Sequence, residues 1–214
     1  MQTKTSPRFG RVSPVTGDGQ AWAKRYTGAG WYDSNPFLAR YEITPDSGRF
    51  HIHTGADLQL PANTDKGKPV YAVQAGIVTF ARDARRHLGR PTTWGNVIVI
   101  SHTEQHAPDA TAELYYSRYA HLARMDVREG ERVAAGQQIG VIGKTGMETY
   151  WNGEHLHFDI SPTNILSNQP LYWPGDNAVA VRTHFTAPYE FLFGTPPISE
   201  RLSDLEMNTD LVER

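Results

Sequence analysis

The sequence predicts a mainly β protein built on an antiparallel sheet core. The chain of 214 residues contains 19 glycines and 14 prolines, and 11% of its residues are aromatic, a composition that favours turn-rich β structure over a helical bundle. Short runs of β-branched and aromatic residues follow one another between Gly, Pro, Asn and Asp. No convincing helical period interrupts them between Gly48 and Pro162. We therefore expect a core of sandwich or open-barrel type.

Eight segments have the composition and length of strands. They are RFHIH (49–53), ADLQL (56–60), PVYAV (69–73), GIVTFA (76–81), NVIVIS (96–101), ELYYSRYAHL (113–122), QQIGVIG (137–143) and HLHFDIS (155–161). Residues 1–47 mix Gly, Pro and aromatic residues, which predicts an irregular extension with short strands packed on the core. Residues 48–165 form the expected core. Residues 166–214 form a polar, loop-like C-terminal extension with a short helix predicted in PISERLSDLEM (197–207).

Composition and charge exclude several classes of function. A net charge of −2 gives no basic footprint for nucleic acid, and no apolar run reaches the length of about 20 residues that a membrane-spanning helix needs. The N-terminal MQTKTSPRFGRVSPVTG has basic residues but no apolar stretch behind them, so no signal peptide is visible in the chain. Cysteine is absent, which leaves imidazole and carboxylate groups as the ligands for any metal.

Two short motifs carry candidate chemistry. In HLHFDIS, His155 and His157 lie two residues apart on a predicted strand, so both face one side while Leu156 faces the other. In HTGAD, His53 and Asp57 can be presented together, and these are the side chains expected of a zinc site without cysteine. Each motif has an ordinary alternative: paired histidines on a wet strand face, or a turn in which the carboxylate accepts from backbone donors.

A third histidine-bearing segment makes a shared cleft more plausible than either motif alone. His121 ends the predicted strand LYYSRYAHL, and taken by itself it could be a half-buried histidine with a hydrogen-bonded nitrogen. The protein has only nine histidines, and three strand-like segments of one predicted sheet each carry at least one of them. Two histidines and one aspartate around zinc would leave a fourth position for water, as in catalytic rather than structural zinc sites.

Taken in order, these motifs resemble the lysostaphin-type zinc endopeptidases, which act on peptidoglycan cross-links. The resemblance runs through HTGAD, KGKPVYAVQAGIVTFA, WGNVIVISH, YAHL, VREGERVAAGQQIGVIGKTG and HLHFDIS, from about residue 50 to residue 161. It implies a small antiparallel sheet fold with a groove whose floor holds one zinc ion.

The resemblance also implies a role for each residue. His53, Asp57 and His157 would bind Zn²⁺, and His121 and His155 would be catalytic. The implied activity is hydrolysis of peptide bonds in peptidoglycan stem or cross-bridge peptides by a zinc-activated water. We expect a monomer that acts outside the cytoplasm, in the cell wall. The alternative is an inactive module of the same fold that binds cell wall or activates another hydrolase.

Four further residues receive expectations of their own. His51 shares a strand face with His53 but lies outside the HxxxD match, so we place it outside the ligand set. His102 and His106, at the start of a long connection, are interpreted as solvated loop histidines. Asp159 stands where the family often has Glu, and we expect no consequence from the difference.

Overall fold

The β-rich segments form one large antiparallel sheet and two small ones in the computed structural model, which describes residues 10–42, 47–104, 113–147 and 153–194. The strands are β1 (Tyr32–Asp33), β2 (Arg40–Glu42), β3 (Phe50–Ile52), β4 (Ala56–Gln59), β5 (Pro69–Tyr71), β6 (Gly76–Asp83), β7 (Asn96–Glu104), β8 (Glu113–Leu122), β9 (Arg124–Met125), β10 (Arg132–Val133), β11 (Gln138–Val141) and β12 (Leu156–Ser161). Each of the eight predicted segments contains a strand, so the mainly β prediction is confirmed.

The strands of the main sheet are ordered β1-β4-β12-β8-β7-β6-β10. A three-stranded sheet is ordered β5-β11-β9, and β2 pairs with β3. The central strand β12 pairs antiparallel with both β4 and β8. Because β4 and β12 carry HTGAD and HLHFDIS, this pairing brings together two motifs that lie about 100 residues apart in the chain.

Alternation along the strands divides the apolar residues between two faces of the main sheet. In β7, Ile98 and Ile100 belong to one buried cluster, and Val97 and Val99 belong to another. The first cluster also contains Leu156 of β12 and residues of the three-stranded sheet such as Val70 and Ile139, and it forms the larger core. Side chains of successive strand residues point to opposite faces, so a single strand can serve a core on one face and a functional site on the other.

One short α-helix and one 3₁₀ turn (Pro61–Asn63) interrupt the predicted run of strands. Helix α1 (Ala84–Leu88) begins where the carboxylate of Asp83 accepts from the backbone N–H groups of Arg85 and Arg86, and it ends at Gly89 with φ 64°. Side-chain capping and a left-handed glycine are local signals that define a single turn of helix. The expectation of no helix in this region is therefore wrong at this place, because five residues are too few to show a period.

The C-terminal extension is more ordered than expected. It contains α2 (Ile165–Asn168), α3 (Ala178–His184) and α4 (Pro188–Phe193), where the sequence analysis expected loops. Leu166 and Leu192 are buried in the two different clusters, so these helices are held by tertiary packing rather than by intrinsic propensity. The helix predicted at 197–207 lies outside the described residues.

The N-terminal extension contributes to the larger core through Val15 and Trp22, which are 4% and 3% exposed. Trp22 contacts Tyr189 and Phe193 of α4 edge to face, so the two extensions meet on this side of the sheet. Among the described residues, no helix has the length and apolar character required to cross a membrane.

Candidate metal and catalytic site

Strand register places Asp57 and His157 side by side. The two residues are direct partners in the antiparallel pairing of β4 with β12, so their side chains leave the same face of the sheet. His53 lies just after β3, and the bend at Thr54 and Gly55 turns the chain back into β4. His53 Nε2 is 3.1 Å from Asp57 Oδ1, His157 Nδ1 is 3.0 Å from the same oxygen, and the two nitrogens are 2.9 Å apart.

These three atoms have the chemistry and the spacing of a zinc site. Atoms separated by 2.9, 3.0 and 3.1 Å lie about 1.7 Å from the centre of their triangle, so one point can lie about 2.0–2.2 Å from all three, the usual length of zinc bonds to nitrogen and oxygen. Among the described residues, these three side chains form the one group of His and acidic residues that lie close enough together to hold a metal ion. The residues present therefore fit a zinc ion.

The N-terminal extension holds the Asp57 carboxylate in place. Asn35 Nδ2 donates to Asp57 Oδ2 at 3.1 Å, which leaves Oδ1 directed at the two histidines. The backbone N–H of Asp57 donates to Asp33 Oδ1 at 3.1 Å. Burial raises the pKa of Asp33 to about 7, although neighbouring His53 acts in the opposite direction. Sequence analysis missed both supporting residues because they come from the irregular segment, where no pattern predicts a partner.

Asp57 and His157 have pKa values shifted in opposite directions. Burial alone raises the pKa of Asp57, but His53, His155 and the hydrogen bond from His157 outweigh it and hold the pKa well below the usual range. Burial alone lowers the pKa of His157, but the carboxylates of Asp159 and Asp57 outweigh it and raise the pKa to about 9. The site therefore stabilises positive charge at the point where the three candidate ligand atoms meet.

His121 reaches the site through an unusual backbone conformation. In β8, Ala120 is the direct partner of His157, so regular alternation would direct His121 to the opposite face. Instead His121 has φ 62°, in the left-handed region that non-glycine residues rarely adopt. Its ring lies 4.7 Å from the ring of His155 and 5.9 Å from that of His157, measured between centroids. Backbone strain of this kind concentrates at functional sites.

Backbone carbonyls set the tautomer of both His121 and His155. His121 Nδ1 is 3.2 Å from the carbonyl oxygen of Thr145, and His155 Nδ1 is 3.5 Å from that of Gly153. A carbonyl oxygen only accepts, so each Nδ1 carries the proton and each Nε2 carries the lone pair. His155 Nε2 lies 3.8 Å from Asp57 Oδ1.

Both of these histidines are neutral near pH 7. Burial lowers the pKa of His121 well below its usual value, and the nearby rings of His155 and His157 lower it further. Burial also lowers the pKa of His155, against the opposing effect of Asp57. A neutral imidazole with an available Nε2 lone pair is the form that accepts a proton.

Asp159 and Arg118 support the ring of His157 from the other side. His157 Nε2 is 2.9 Å from Asp159 Oδ2, and the same oxygen accepts from Arg118 Nε at 2.6 Å. Burial would raise the pKa of Asp159, but Arg118 and His157 outweigh it and hold the pKa far below its usual value. Asp159 therefore contacts both His157 and Arg118, and the expectation that Asp in place of Glu has no consequence stays a prediction. Arg118 was not predicted, because its partner lies 41 residues further along the chain, on the neighbouring strand.

The other histidines lie outside the site or play a different role. His51 stacks on Trp173 at 4.4 Å between ring centroids and is not among the three convergent residues. His102 is fully buried in β7, with Nε2 2.7 Å from Ser117 Oγ, so its interpretation as a solvated loop histidine is wrong. The strand continues two residues beyond His102, which the polar sequence HTE did not suggest. His106 lies outside the described residues.

The five predicted site residues line one cavity of about 450 Å³. Its walls include aromatic side chains from three parts of the chain: Tyr41 from β2, Trp94 before β7, and Trp173 after α2. Trp94 contacts His157 edge to face, with 5.3 Å between ring centroids. A concave, largely apolar space with a few convergent polar groups is the usual form of an active site.

The fold and the site together define the class of protein. The model of peptidase family M23 matches residues 51–169, which is more than half of the chain, and the chain belongs to this family. The predicted resemblance is thereby confirmed. The match begins at His51 and ends just after α2, so it contains every one of the five site residues.

Particular relatives have different described activities. The chain is 33% identical over 146 residues to the peptidoglycan DD-endopeptidase ShyA of Vibrio cholerae, covering 66% of this chain and 28% of ShyA. It is 36% identical over 125 residues to the murein hydrolase activator NlpD of Escherichia coli, covering 58% of this chain and 28% of NlpD. The matched segment thus spans 28% of the length of either relative.

A solved structure of the SpoIIQ–SpoIIIAH pore-forming complex contains a chain with a similar fold. The TM-score is 0.50 at 20% sequence identity, covering 89% of this chain and 94% of that one. At this identity the likeness concerns the fold alone.

Proposed function

We propose that this chain is a zinc-dependent endopeptidase that hydrolyses peptide bonds in peptidoglycan stem or cross-bridge peptides. The observation that carries the proposal is the complete set of groups around one cavity: three convergent ligand atoms and two neutral histidines beside them. His53, Asp57 and His157 are the proposed ligands, and His121 and His155 the proposed catalytic residues.

The residues of the chain divide the chemistry between them. When bound, zinc supplies a Lewis acid that polarises a carbonyl and lowers the pKa of water to about 7. His155 and His121, whose Nε2 atoms carry the lone pair, accept a proton beside the proposed ligand atoms and return it to the leaving amine. Once protonated, the same imidazole donates a hydrogen bond to the oxyanion of the tetrahedral intermediate.

The substrate and the place of action follow from the family and its relatives. ShyA is described as acting on peptidoglycan, and 33% identity over 146 residues supports the same substrate class for this chain. Peptidoglycan lies outside the cytoplasm, so we propose an extracytoplasmic or secreted role, with the chain acting as a monomer.

We further propose that the extensions belong to the catalytic unit. The core at 48–165 supplies the five site residues. The segment 1–47 supplies Asn35 against Asp57, and the segment 166–214 supplies the cavity wall at Trp173.

The second candidate is a module that activates another hydrolase without cleaving peptidoglycan itself. The similarity to NlpD, described as a murein hydrolase activator, favours this candidate. The ligand triad and both histidines of this chain favour the enzyme, because an activator has no need of a complete set of catalytic groups.

The test combines zinc analysis with cleavage of purified peptidoglycan, with and without a chelator. We expect one zinc per chain and chelator-sensitive release of new amino groups, located by mass spectrometry of the fragments. His157→Ala should lose both zinc and activity, whereas His155→Ala should keep zinc and lose most turnover. His87→Ala, on α1 and distant in sequence from every site residue, is the control and should retain both.

Three outcomes would contradict the proposal in different ways. Stoichiometric zinc without cleavage of any peptidoglycan type would favour the activator. Absence of zinc from the wild-type protein would reject the metal site. Full activity of His155→Ala would reject its assignment as a catalytic residue.

A further inference from the structure

We propose that Arg118 and Asp159 form a positioning pair that fixes the ring of His157 with Nδ1, rather than Nε2, directed at the metal. The inference rests on the proposed function, since it concerns how the proposed ligand is presented. The pair would thus raise metal affinity indirectly, without either residue contacting the ion.

The pair is built into the centre of the main sheet. Arg118 and Asp159 are direct partners in the pairing of β8 with β12, two residues along from His157, so all three side chains share the face of the site. Both partners are 0% exposed. Asp159 Oδ2 lies 2.6 Å from Arg118 Nε and 2.5 Å from Arg118 Nη2. The carboxylate is therefore held by two nitrogens of one guanidinium.

The tautomer of His157 follows from this contact. An ionised carboxylate has only acceptor sites, so the contact of 2.9 Å between His157 Nε2 and Asp159 Oδ2 places a proton on Nε2. Binding of a metal ion displaces the second proton of the imidazole, so the proton that remains stays on Nε2 and the lone pair is on Nδ1. Nδ1 is the nitrogen that lies 3.0 Å from Asp57 Oδ1 and 2.9 Å from His53 Nε2. A carboxylate behind a ligating histidine orients the ring and raises its basicity as a ligand.

Arg118 is itself held by the C-terminal extension. Its Nη1 donates to the carbonyl oxygens of Tyr172 at 2.8 Å and Pro170 at 3.3 Å. Its guanidinium lies over the ring of Trp94, 4.0 Å from the centroid. Trp94 and Trp173 both line the cavity. The buried guanidinium of Arg118 therefore contacts both the cavity wall and the carboxylate that orients His157. Oδ2 of Asp159 consequently contacts Arg118 and His157 at the same time, and the carboxylate is buried between them.

Two variants separate positioning from structural support. Asp159→Asn keeps the shape of the side chain and removes its charge. The double variant Arg118→Met with Asp159→Leu replaces both partners by apolar groups, which a buried ion pair often tolerates, whereas removal of one partner leaves an unpaired buried charge. The control is Arg82→Met with Glu129→Leu, which removes an exposed pair in which Nε and Nη2 of the arginine each contact one carboxylate oxygen, at 2.7 and 2.6 Å.

The first readout is the zinc dissociation constant, measured by chelator competition at fixed pH. We expect affinity to fall about 10–100-fold in the double variant and less in Asp159→Asn, as is usual when the partner of a ligating histidine is lost. The control should bind zinc as the wild type does. Thermal unfolding of each protein confirms that the comparison is made on folded chains.

The second readout is the protonated nitrogen of His157 in the zinc-loaded protein, from long-range ¹H–¹⁵N spectra. The wild type should carry its proton on Nε2, and the double variant should show a mixture of ring orientations or tautomers. A merely structural pair would change neither this signature nor zinc affinity.

Either of two results would overturn the inference alone: wild-type zinc affinity in both variants, or a wild-type spectrum with the proton on Nδ1. A wild-type chain that binds no zinc would instead overturn the proposed function, and this inference with it.

Discussion

The two faces of the main sheet each bury histidine, and they use it differently. On the face of the larger core, His102 is fully buried, with Nδ1 3.0 Å from the carbonyl oxygen of Ala75 and Nε2 2.7 Å from Ser117 Oγ. Its ring stacks on Tyr115 at 4.7 Å between centroids. Both nitrogens thus have partners within the protein, and the histidine serves the packing of the sheet.

On the opposite face, His121 and His155 also direct Nδ1 at a backbone carbonyl, but their rings line a cavity. Burial and a fixed tautomer are therefore common to both faces. What distinguishes the site is that Nε2 points towards space that a substrate can fill, beside a group of metal-binding type. The comparison teaches that a buried histidine becomes chemically useful through what surrounds its second nitrogen.

The largest expected effect is on kcat, and it distinguishes His121 on the face of the site from His102 on the face of the larger core. His121→Ala should lower kcat by about 10²–10⁴-fold, the usual contribution of a general acid or base, while zinc content is unchanged. His102→Gln, on the other face, should leave kcat within a few-fold of wild type. Steady-state cleavage of a peptidoglycan fragment measures both. A comparable loss in His102→Gln would abolish the distinction between the faces.

The next effect is on stability, and it distinguishes Phe158, which faces the core, from its neighbour His157 in β12, which faces the site. Phe158 is fully buried in the larger core, so Phe158→Ala should lower the free energy of unfolding by about 3–5 kcal/mol through lost burial and a residual cavity. Zinc stoichiometry of the folded fraction should not change, because Phe158 faces away from the site. Denaturant titration measures the first quantity and metal analysis the second. Loss of zinc from folded Phe158→Ala would show that the two faces are coupled.

A smaller effect concerns pH. Burial lowers the pKa of His102 to about 4 from 6.5, so the unfolded chain binds the proton more tightly than the folded chain. The stability contributed by neutral His102 is present above pH 6.5 and is lost as the pH falls towards 4. The loss should be about 2 kcal/mol between pH 7 and pH 5.

His102→Gln isolates this contribution. The variant cannot titrate at this position, whereas the site histidines titrate in both proteins and cancel in the difference. Unfolding free energies of the two proteins at pH 7 and pH 5 measure it. Equal pH dependence in wild type and variant would contradict the assignment of a neutral His102.

The smallest effect concerns the loop that fixes the tautomer of His121. Thr145 Oγ1 donates to the carbonyl of Leu122 at 2.8 Å and accepts from the backbone N–H of Asn96 at 2.9 Å. Thr145→Val should cost about 1 kcal/mol of stability through these lost hydrogen bonds. The Thr145 carbonyl remains, so zinc binding should persist, and a shift of His121 should appear as a modest loss of kcat. An unchanged unfolding midpoint would indicate that these hydrogen bonds contribute no net stability.

Local pattern made a large part of this protein predictable. Alternation in HLHFDIS placed His155 and His157 on one face and Leu156 and Phe158 on the other, and the structure has the same division. The residues of HTGAD and HLHFDIS were expected to share a cleft, and the register of β4 with β12 brings Asp57 and His157 side by side. Their roles as ligands remain a prediction. Periodicity of two is a property of the strand itself, so it can be read without knowing the fold.

Several features required the folded chain. His121 would face away from the site in a regular strand, and only its left-handed backbone turns it towards His155. The pairing of Arg118 with Asp159 depends on register between strands 41 residues apart in sequence. The helices after α1 have four, seven and six residues, too few to show a period, and buried apolar residues of α2 and α4 belong to the two core clusters.

The sequence by itself determined the β class and the positions of eight of the twelve described strands, because these depend on short-range alternation and residue type. Its motifs, through the family resemblance, also pointed to the five residues that line the cavity. Tertiary structure decided which nitrogen of each histidine faces the cavity, which residues support the ligands and which histidine serves packing alone. Those properties depend on partners that are distant in the chain, and only folding brings such partners within hydrogen-bonding distance.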